Sequence, residues 1–246
     1  MVSFNGVINN SIGASISGVT NTLTITNPSN TASSAAREII TVGGAAAGDP
    51  TINWNVSGVT DFEMGIDNSV SDNLTISQSA ALGTNDVWRM TTSGQRTMPL
   101  QPAFKATLSA TVNNVTGDGT AYTIIYDIVN FDQGSNYNNA TGIFTAPVTG
   151  KYLFGANNTL LNLSAANSAN CVYDLVSSSI IARLNLGNLG NMRDTGSGAY
   201  SPIFSHFFDM NSGDTLKIVV TIPGGTKTVG LLGGPREASF WGFLVL

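Results

Sequence analysis

Short segments in which apolar and polar residues alternate recur through the first half of the chain. Ile52, Trp54 and Val56 point one way if they lie on a strand, while the two asparagines between them point the other way. The same alternation continues in the segments 62–66, 74–76 and 88–90. No stretch of useful length has a helical period. The pattern predicts strands with one face towards a core and the other towards water.

The segments beyond residue 102 are longer and more apolar. Residues 121–131 are apolar on both faces, and such a strand must be covered on both sides. Leu216, Ile218 and Val220 alternate around polar residues, which predicts a strand with one wet face. The uncharged ending, 240–246, predicts a central strand or one packed in a subunit interface, because an exposed edge of this kind would aggregate.

Composition also favours an all-β chain. Hydrophobic residues make up 42% of the 246 residues and charged residues only 10%, so solubility rests on Asn, Ser, Thr and Gly, which favour turns and strands. The net charge is −5 and no Lys or Arg cluster occurs, so we expect no nucleic-acid partner. We expect no membrane insertion and no export signal, because neither a long apolar run nor a signal-peptide pattern is found.

A connector divides the chain into two predicted domains. Pro99 and Pro102 interrupt strand pairing, and the segment 97–102 therefore separates two sets of strands. We place a β-rich anchoring or spacer domain at residues 1–99 and a second β domain at residues 100–246. The single cysteine, Cys171, excludes a disulfide within the chain.

The segment 131–154 reads FDQGSNYNNATGIFTAPVTGKYLF and resembles the signature of complement-C1q-like domains. The residues in that family's order and spacing are Phe131, Tyr137, Gly142, Phe144, Thr145, Pro147, Gly150, Tyr152 and Phe154. Phe240, Gly242 and Phe243 are similar to the family's closing strand. The resemblance implies a ten-stranded jelly roll of the C1q and tumour-necrosis-factor superfamily, assembled as a homotrimer. These signature residues would then pack in the core or along the three-fold axis.

The N-terminal region contains LTITNPSNTASSAAR, GDPTINWNVSGVT and GIDNSVSDNLTIS, which resemble β segments of phage tail, fibre and virion-surface proteins. The resemblance implies a trimeric structural protein of a virion, assembled in the host cytoplasm as a fibre, spike or capsid decoration. Its N-terminal region would contact other virion proteins, and its C-terminal knob would attach to a host-surface glycan or protein. Two alternatives stay open: a bacterial C1q-like lectin or adhesin, secreted or on the cell surface, and a glycan-depolymerising spike enzyme.

Few residues are candidates for catalysis, and we expect no enzyme. The only histidine, His206, shares a strand face with Phe204 and Phe208, so we expect a packed neutral imidazole. One His and one Cys cannot make a zinc-type ligand set, and no nucleophile triad has motif support. A depolymerase would need two carboxylates, for which the candidates are Asp61, Glu63, Asp67, Asp72 and Asp86.

Ligand sites are equally sparse. The segment 67–73 offers oxygen ligands but lacks the spacing of a known calcium loop, so we favour a turn held by Asx side chains. We expect no cofactor; calcium alone stays open, because the resemblance includes heads that bind it near the trimer apex. Sugar contacts in a knob would use aromatic and amide side chains, and the candidates are Tyr137, Asn138 and Tyr200.

Overall fold

The structure, a computed structural model, describes residues 25–164 and 170–245. In these ranges the only helix is a 3-10 turn at Leu189–Asn191, so no described helix is long and apolar enough to cross a membrane. The strands are β1 (Thr51–Val56), β2 (Thr60–Asp67), β3 (Asn73–Ser77), β4 (Asp86–Met90), β5 (Arg96–Thr97), β6 (Ala103–Thr107), β7 (Val112–Thr116), β8 (Ala121–Thr123), β9 (Ile128–Gln133), β10 (Tyr137–Asn138), β11 (Ile143–Thr145), β12 (Gly150–Asn158), β13 (Leu160–Leu161), β14 (Cys171–Ser177), β15 (Ile181–Gly187), β16 (Ile203–Met210), β17 (Thr215–Thr221), β18 (Val229–Leu231) and β19 (Ala238–Leu244).

The first five strands form one antiparallel sheet in the order β1-β2-β3-β4-β5, which we call the N-terminal sheet. Its register places Trp54 opposite Phe62 and Ile76 opposite Trp88, so the apolar side chains of adjacent strands share one face. The polar side chains share the other face. The strands therefore form where the alternating pattern predicts them.

The prediction that the apolar face of this sheet forms a core is wrong for the single chain. Trp54 is 51% exposed and Val56 58%, whereas Asp67 is fully buried on the polar face. The physical reason is the loop 78–85, which folds against the polar face. The amide of Gly83 donates to Asp86 Oδ1 at 3.0 Å, and Gly83 lies close to the Asp67 carboxylate.

The remaining strands form a two-sheet sandwich with jelly-roll connections. One sheet has the order β9-β6-β19-β12-β16, which we call sheet I, and the other the order β10-β11-β17-β14-β15, which we call sheet II. All pairings are antiparallel, and the chain crosses repeatedly between the sheets. The all-β class and the C-terminal jelly roll are confirmed. The region has more strands than the predicted ten, because β8 also pairs with β17 and a small third sheet holds β13, β18 and β7.

Two of the three C-terminal strand predictions are confirmed. β19 lies between β12 and β6, so the uncharged closing strand is central. On β17, Leu216, Ile218 and Val220 are fully buried. The third prediction is wrong, because residues 121–131 are not one strand covered on both sides. The segment divides into β8 and β9, which belong to different sheets, and Phe131 on β9 is 50% exposed in the single chain.

The hydrophobic core fills the space between sheets I and II. Every buried hydrophobic residue of the described core lies between Phe104 and Phe240, so the N-terminal sheet contributes none. Phe104 stacks on Tyr137 with ring centroids 4.9 Å apart, and it meets the edge of Phe240 at the same distance. Phe144 and Phe154 complete the cluster at 5.1 Å from each other. These contacts fix the spacing of the two sheets.

The connector runs from the end of β5 at Thr97 to the start of β6 at Ala103. The side-chain amide of Gln133 donates to the carbonyls of Met98 and Pro99, at 3.3 and 3.1 Å. The predicted division at residues 99 and 100 falls inside this connector and stays a prediction. The first 24 residues of the predicted N-terminal domain lie outside the described residues.

Candidate functional site

Most of the signature residues build the core of the jelly roll rather than an exposed site. Asp132 accepts the backbone N–H groups of Asn136 at 3.0 Å and Tyr137 at 2.9 Å, which closes the turn between β9 and β10. The Tyr137 hydroxyl donates to the Tyr126 carbonyl at 3.1 Å, and burial raises the pKa of Tyr137 well above its usual value. Tyr152, Phe154 and Phe240 are likewise fully buried.

The two signature glycines near Phe144 have different roles. Gly142 has a φ of +74°, and a Cβ there would lie 2.5 Å from the Ile124 carbonyl oxygen, so no other residue fits its turn. Gly150 begins β12, and a Cβ there would meet a Leu244 methyl at 2.6 Å. Pro147 is exposed just after β11, where its carbonyl accepts the Ser212 hydroxyl at 2.9 Å.

Gly242 is a third close-packed glycine of the signature. It is buried on β19, where a Cβ would overlap the ring of Phe154 and lie 3.1 Å from Phe104. Its neighbour Phe243 points the other way, as alternation requires, and is 40% exposed. β19 thus presents one side to the core and the other to the surface of sheet I.

That surface, opposite the core, forms a continuous apolar patch that we call the outer face of sheet I. The strand registers align its side chains in two rows across the sheet. The first row is Phe207, Leu153, Phe243, Ala103 and Gln133, and the second is Ser205, Gly155, Trp241, Lys105 and Phe131. Ile203 continues the face at the end of β16.

Aromatic rings on this face pack against neighbouring residues although much of their surface is exposed. Trp241 and Phe243 stack at 6.3 Å with an interplanar angle of 15°. The Trp241 ring lies over Gly155, where any Cβ would overlap it. Phe207 is 60% exposed. The only ion pair that the described residues place on this face, Lys151 with Asp209 at 2.7 Å, lies at one end of the sheet. The centre of the face is suited to burial against another apolar surface.

The predicted packing of His206 is wrong for the single chain. His206 lies on β16 on the same side as Phe204 and Phe208, and its ring meets the edge of Phe208 at 5.1 Å. It is nevertheless exposed, because β16 is an edge strand of sheet I and no strand of the described residues pairs with its outer margin. Alternation in the sequence identified the side of β16 on which His206 lies, but it could not show that β16 is at the edge of sheet I.

The five candidate carboxylates do not form a common site. Asp86 pairs with Arg89, whose Nε lies 2.6 Å from Oδ2, while Glu63 and Asp67 stand four residues apart on β2, about 13 Å along a strand. Asp61 accepts a hydrogen bond from Asn55, and Asp72 is exposed in a turn. In the described parts of the chain, no three His, Cys, Asp or Glu residues come together to hold a metal.

The segment 67–73 forms the predicted side-chain-held turn. Asp67 Oδ1 accepts the Ser69 amide at 3.1 Å, the Ser69 hydroxyl at 2.7 Å and the Val70 amide at 3.1 Å. Ser69, Ser71 and Asp72 of this turn are exposed, whereas Asp67 is fully buried and its Oδ2 has no hydrogen-bond partner among the described residues. Glu63 Oε2 is also buried without a partner.

The three sugar-contact candidates are not brought together as an aromatic platform. Tyr137 is 6% exposed, so the prediction that it contacts a sugar is wrong. Tyr200 packs against the core, and its backbone pairs with Leu160. Asn138 is exposed beside an open depression of ≈ 440 Å³ whose lining includes Asn136 and Asn139. This depression offers amides but no free aromatic ring.

Sequence reasoning named Phe131 and Phe243 on the outer face but missed Leu153, Phe207 and Trp241. A signal for them existed. On β16 and β19, apolar residues occupy both alternating sets of positions, which is typical of strands covered on both sides. Most signature residues of these strands, such as Phe240 and Gly242, belong to the core-facing set, so the signature identifies little of the outer set.

Comparisons with known proteins agree with this architecture. The model of the family described as C1q domain matches residues 103–185, from β6 into β15. Among solved structures, the globular domain of zebrafish complement 1qA protein is similar, with 19% identity and a TM-score of 0.41, over 59% of this chain and 98% of that one. Murine APRIL at pH 8.0 has 11% identity and a TM-score of 0.41, over 59% of this chain and 99% of that one.

The family match and the strand order define the class: an all-β protein with a C1q-like jelly roll. No curated protein matches the chain. The family match begins beyond the N-terminal sheet. The resemblance of the N-terminal region to virion-surface proteins therefore stays a prediction.

Proposed function

We propose that the protein is a non-enzymatic structural or binding protein that assembles as a homotrimer through the outer face of sheet I. The observation that carries this proposal is the aromatic centre of that face. Trp241 and Phe243 lie on the central strand β19, and Phe207 continues their patch with more than half of its surface open. Large apolar patches of this kind mark protein interfaces.

The charge distribution supports the same interface. Lys105 is the one charged residue in the two central rows, so copies that meet through this face bring little like charge together. Only 10% of the chain is charged, which leaves few groups to keep an exposed aromatic sheet in solution. Three copies rather than two are what the C1q and tumour-necrosis-factor-like fold implies.

Light scattering on the full chain tests the assembly. We expect a mass of three times 25.5 kDa at micromolar concentration. Phe207→Asp places a carboxylate in the patch and should release monomers, whereas Ile181→Asp, at a 56% exposed position on β15 of sheet II, should leave the mass unchanged. A wild-type monomer, or equal effects of the two variants, would reject the interface.

Within this class, we propose a virion role as fibre, spike or capsid decoration. The proposal rests on the resemblance of the N-terminal region to phage tail and virion-surface segments. Other virion proteins would contact the N-terminal region, and the C-terminal knob would contact a host-surface glycan or protein. Antibody labelling of particles by electron microscopy tests it. Label on virions supports the role, while label on the surface of a producing bacterium supports a C1q-like adhesin instead.

A further inference from the structure

The N-terminal sheet carries an apolar face of its own, distinct from the outer face of sheet I. Its register gathers apolar side chains from four strands on one side, and none of them is buried in the single chain. They are Ile52, Trp54, Val56, Phe62, Met64, Ile66, Leu74, Ile76, Trp88 and Met90. We call this surface the N-terminal apolar face. Burial of apolar side chains is the main force that stabilises a sheet, so this face is suited to a partner that covers it.

The charges of the sheet lie almost entirely on the opposite side. Asp61, Glu63 and Asp67 alternate away from the N-terminal apolar face on β2, and Asp86 does so on β4. The only charged side chain on the apolar side is Arg96 on the short edge strand β5. Identical copies can therefore meet through this face without bringing carboxylates together, which is the condition that self-association requires.

The connector places the sheet close to the proposed trimer interface. Five residues separate β5 from Ala103, which itself lies in the first row of the outer face of sheet I. The six steps from Thr97 to Ala103 span at most about 22 Å when fully extended. The chain length that joins the two faces thus keeps the N-terminal sheets of associated copies near one another. A short tether of this kind gives an effective concentration in the millimolar range.

The size of the N-terminal apolar face also favours further copies of this chain as its partner. A five-stranded sheet with strands of this length presents roughly 400 Å² on one side. That is about half of what each partner contributes to a stable independent complex, so the face is too small to hold a free protein by itself. Copies already held together by their jelly rolls do not need a larger area.

We propose that the N-terminal apolar faces of three copies pack against one another and form a second subunit interface at the base of the trimer. The inference rests on the proposed trimer and goes beyond the C1q-like region. It gives the N-terminal sheet an apolar core that residues 25–164 and 170–245 of a single chain do not supply. Residues Trp54 and Phe62 would lie inside this second interface, and Asn53 and Asn55 would remain outside it.

Cysteine cross-linking on the full chain tests the second interface. Trp54→Cys and Val56→Cys place thiols on the apolar face, and Asn53→Cys is the matched control on the opposite face of the same strand. The native Cys171 is buried and its pKa is raised by burial, so it gives little background with a short bis-maleimide. We expect cross-linked copies from both face variants, at a yield unchanged by about tenfold dilution, and none from the control.

The outcomes separate the two proposals. If the mass is trimeric but thiols at positions 54 and 56 cross-link no better than at 53, the second interface is absent while the jelly-roll trimer stands. A monomeric mass rejects the trimer itself. Adding Phe207→Asp should abolish the cross-links and open both thiols to single-site maleimide labelling. Protection of these thiols in that monomer would show that one chain covers its own face, and would overturn the second interface.

Discussion

The N-terminal sheet and the jelly roll are built from the same alternating pattern but bury opposite faces. In the jelly roll, the apolar set of each main strand meets the facing sheet, as Phe104 and Phe144 do at 5.1 Å. In the N-terminal sheet, the apolar set has no buried member, whereas Asp67 and Asp86 of the polar set are buried beside the loop 78–85. Alternation therefore specifies a strand and its two faces, whereas burial of one face depends on which other part of the structure packs against it.

The largest contrast should come from removing one aromatic ring in each region. Phe154 is fully buried among Phe144, Phe208 and Phe240, so Phe154→Ala should lower the free energy of unfolding by about 3–5 kcal/mol. Phe62 is 39% exposed in the single chain. Phe62→Ala should therefore cost much less when both changes are compared by denaturant unfolding in a monomeric Phe207→Asp background.

The same two substitutions, Phe62→Ala and Phe154→Ala, can also be compared between the monomer and the trimer. If the N-terminal apolar faces pack together, Phe62→Ala should cost more in the trimer than in the monomer, because the ring is then buried. The cost of Phe154→Ala per chain should be similar in both. Equal costs of Phe62→Ala in monomer and trimer would mean that assembly leaves the N-terminal face open.

Two glycines with nearly the same backbone angle test packing at a smaller scale. Gly142 and Gly58 have φ values of +74° and +73°, but only Gly142 has a neighbour where its Cβ would lie. Both changes to Ala carry the left-handed penalty of about 1 kcal/mol, and Gly142→Ala adds about 1–3 kcal/mol for the clash with the Ile124 carbonyl. Calorimetric melting measures both. Equal shifts would show that the loop around Gly142 yields without strain.

The smallest effect concerns the buried polar face of the N-terminal sheet. Glu63 Oε2 has no hydrogen-bond partner, so its charge is poorly compensated. Glu63→Gln keeps the shape and removes the charge, and it should stabilise the sheet by about 1 kcal/mol. Hydrogen exchange of the β2 and β3 amides measures this locally. Asp61→Asn is the control and should not stabilise, because Asp61 already accepts a bond from Asn55. Loss of stability in Glu63→Gln would indicate that the carboxylate has a partner.

The jelly roll could be predicted because its signature residues are fixed by local and long-range packing at once. Gly142 needs a left-handed turn, Phe144 and Phe154 meet in the core, and the uncharged β19 has to be central. The spacing of these residues in the sequence reflects these packing and turn requirements. The all-β class followed from composition and alternation for the same reason.

Burial in the N-terminal sheet and at His206 could not be predicted, because it depends on what lies outside the strand. No local pattern states that the loop 78–85 covers the polar face, or that β16 forms the margin of its sheet. Most of the outer face of sheet I could not be predicted for a related reason. Residues such as Phe207 look like core residues in sequence, and only the completed sandwich shows that the core lies on the other side.

The last strand is tied to the end of the connector by two hydrogen bonds. The backbone N–H of Leu244 donates to the Pro102 carbonyl at 2.9 Å, and the side-chain amide of Gln101 donates to the Leu244 carbonyl at 3.2 Å. The jelly roll is thus entered and left at one pole, where the connector ends. A fluorescent reporter fused behind the closing strand would sit beside the N-terminal sheet and could crowd it. The exposed residues 194–197, between the 3-10 turn at Leu189–Asn191 and β16, lie at the opposite end of the sandwich, beyond Ile203 and Asn157. They are the better position for an inserted epitope.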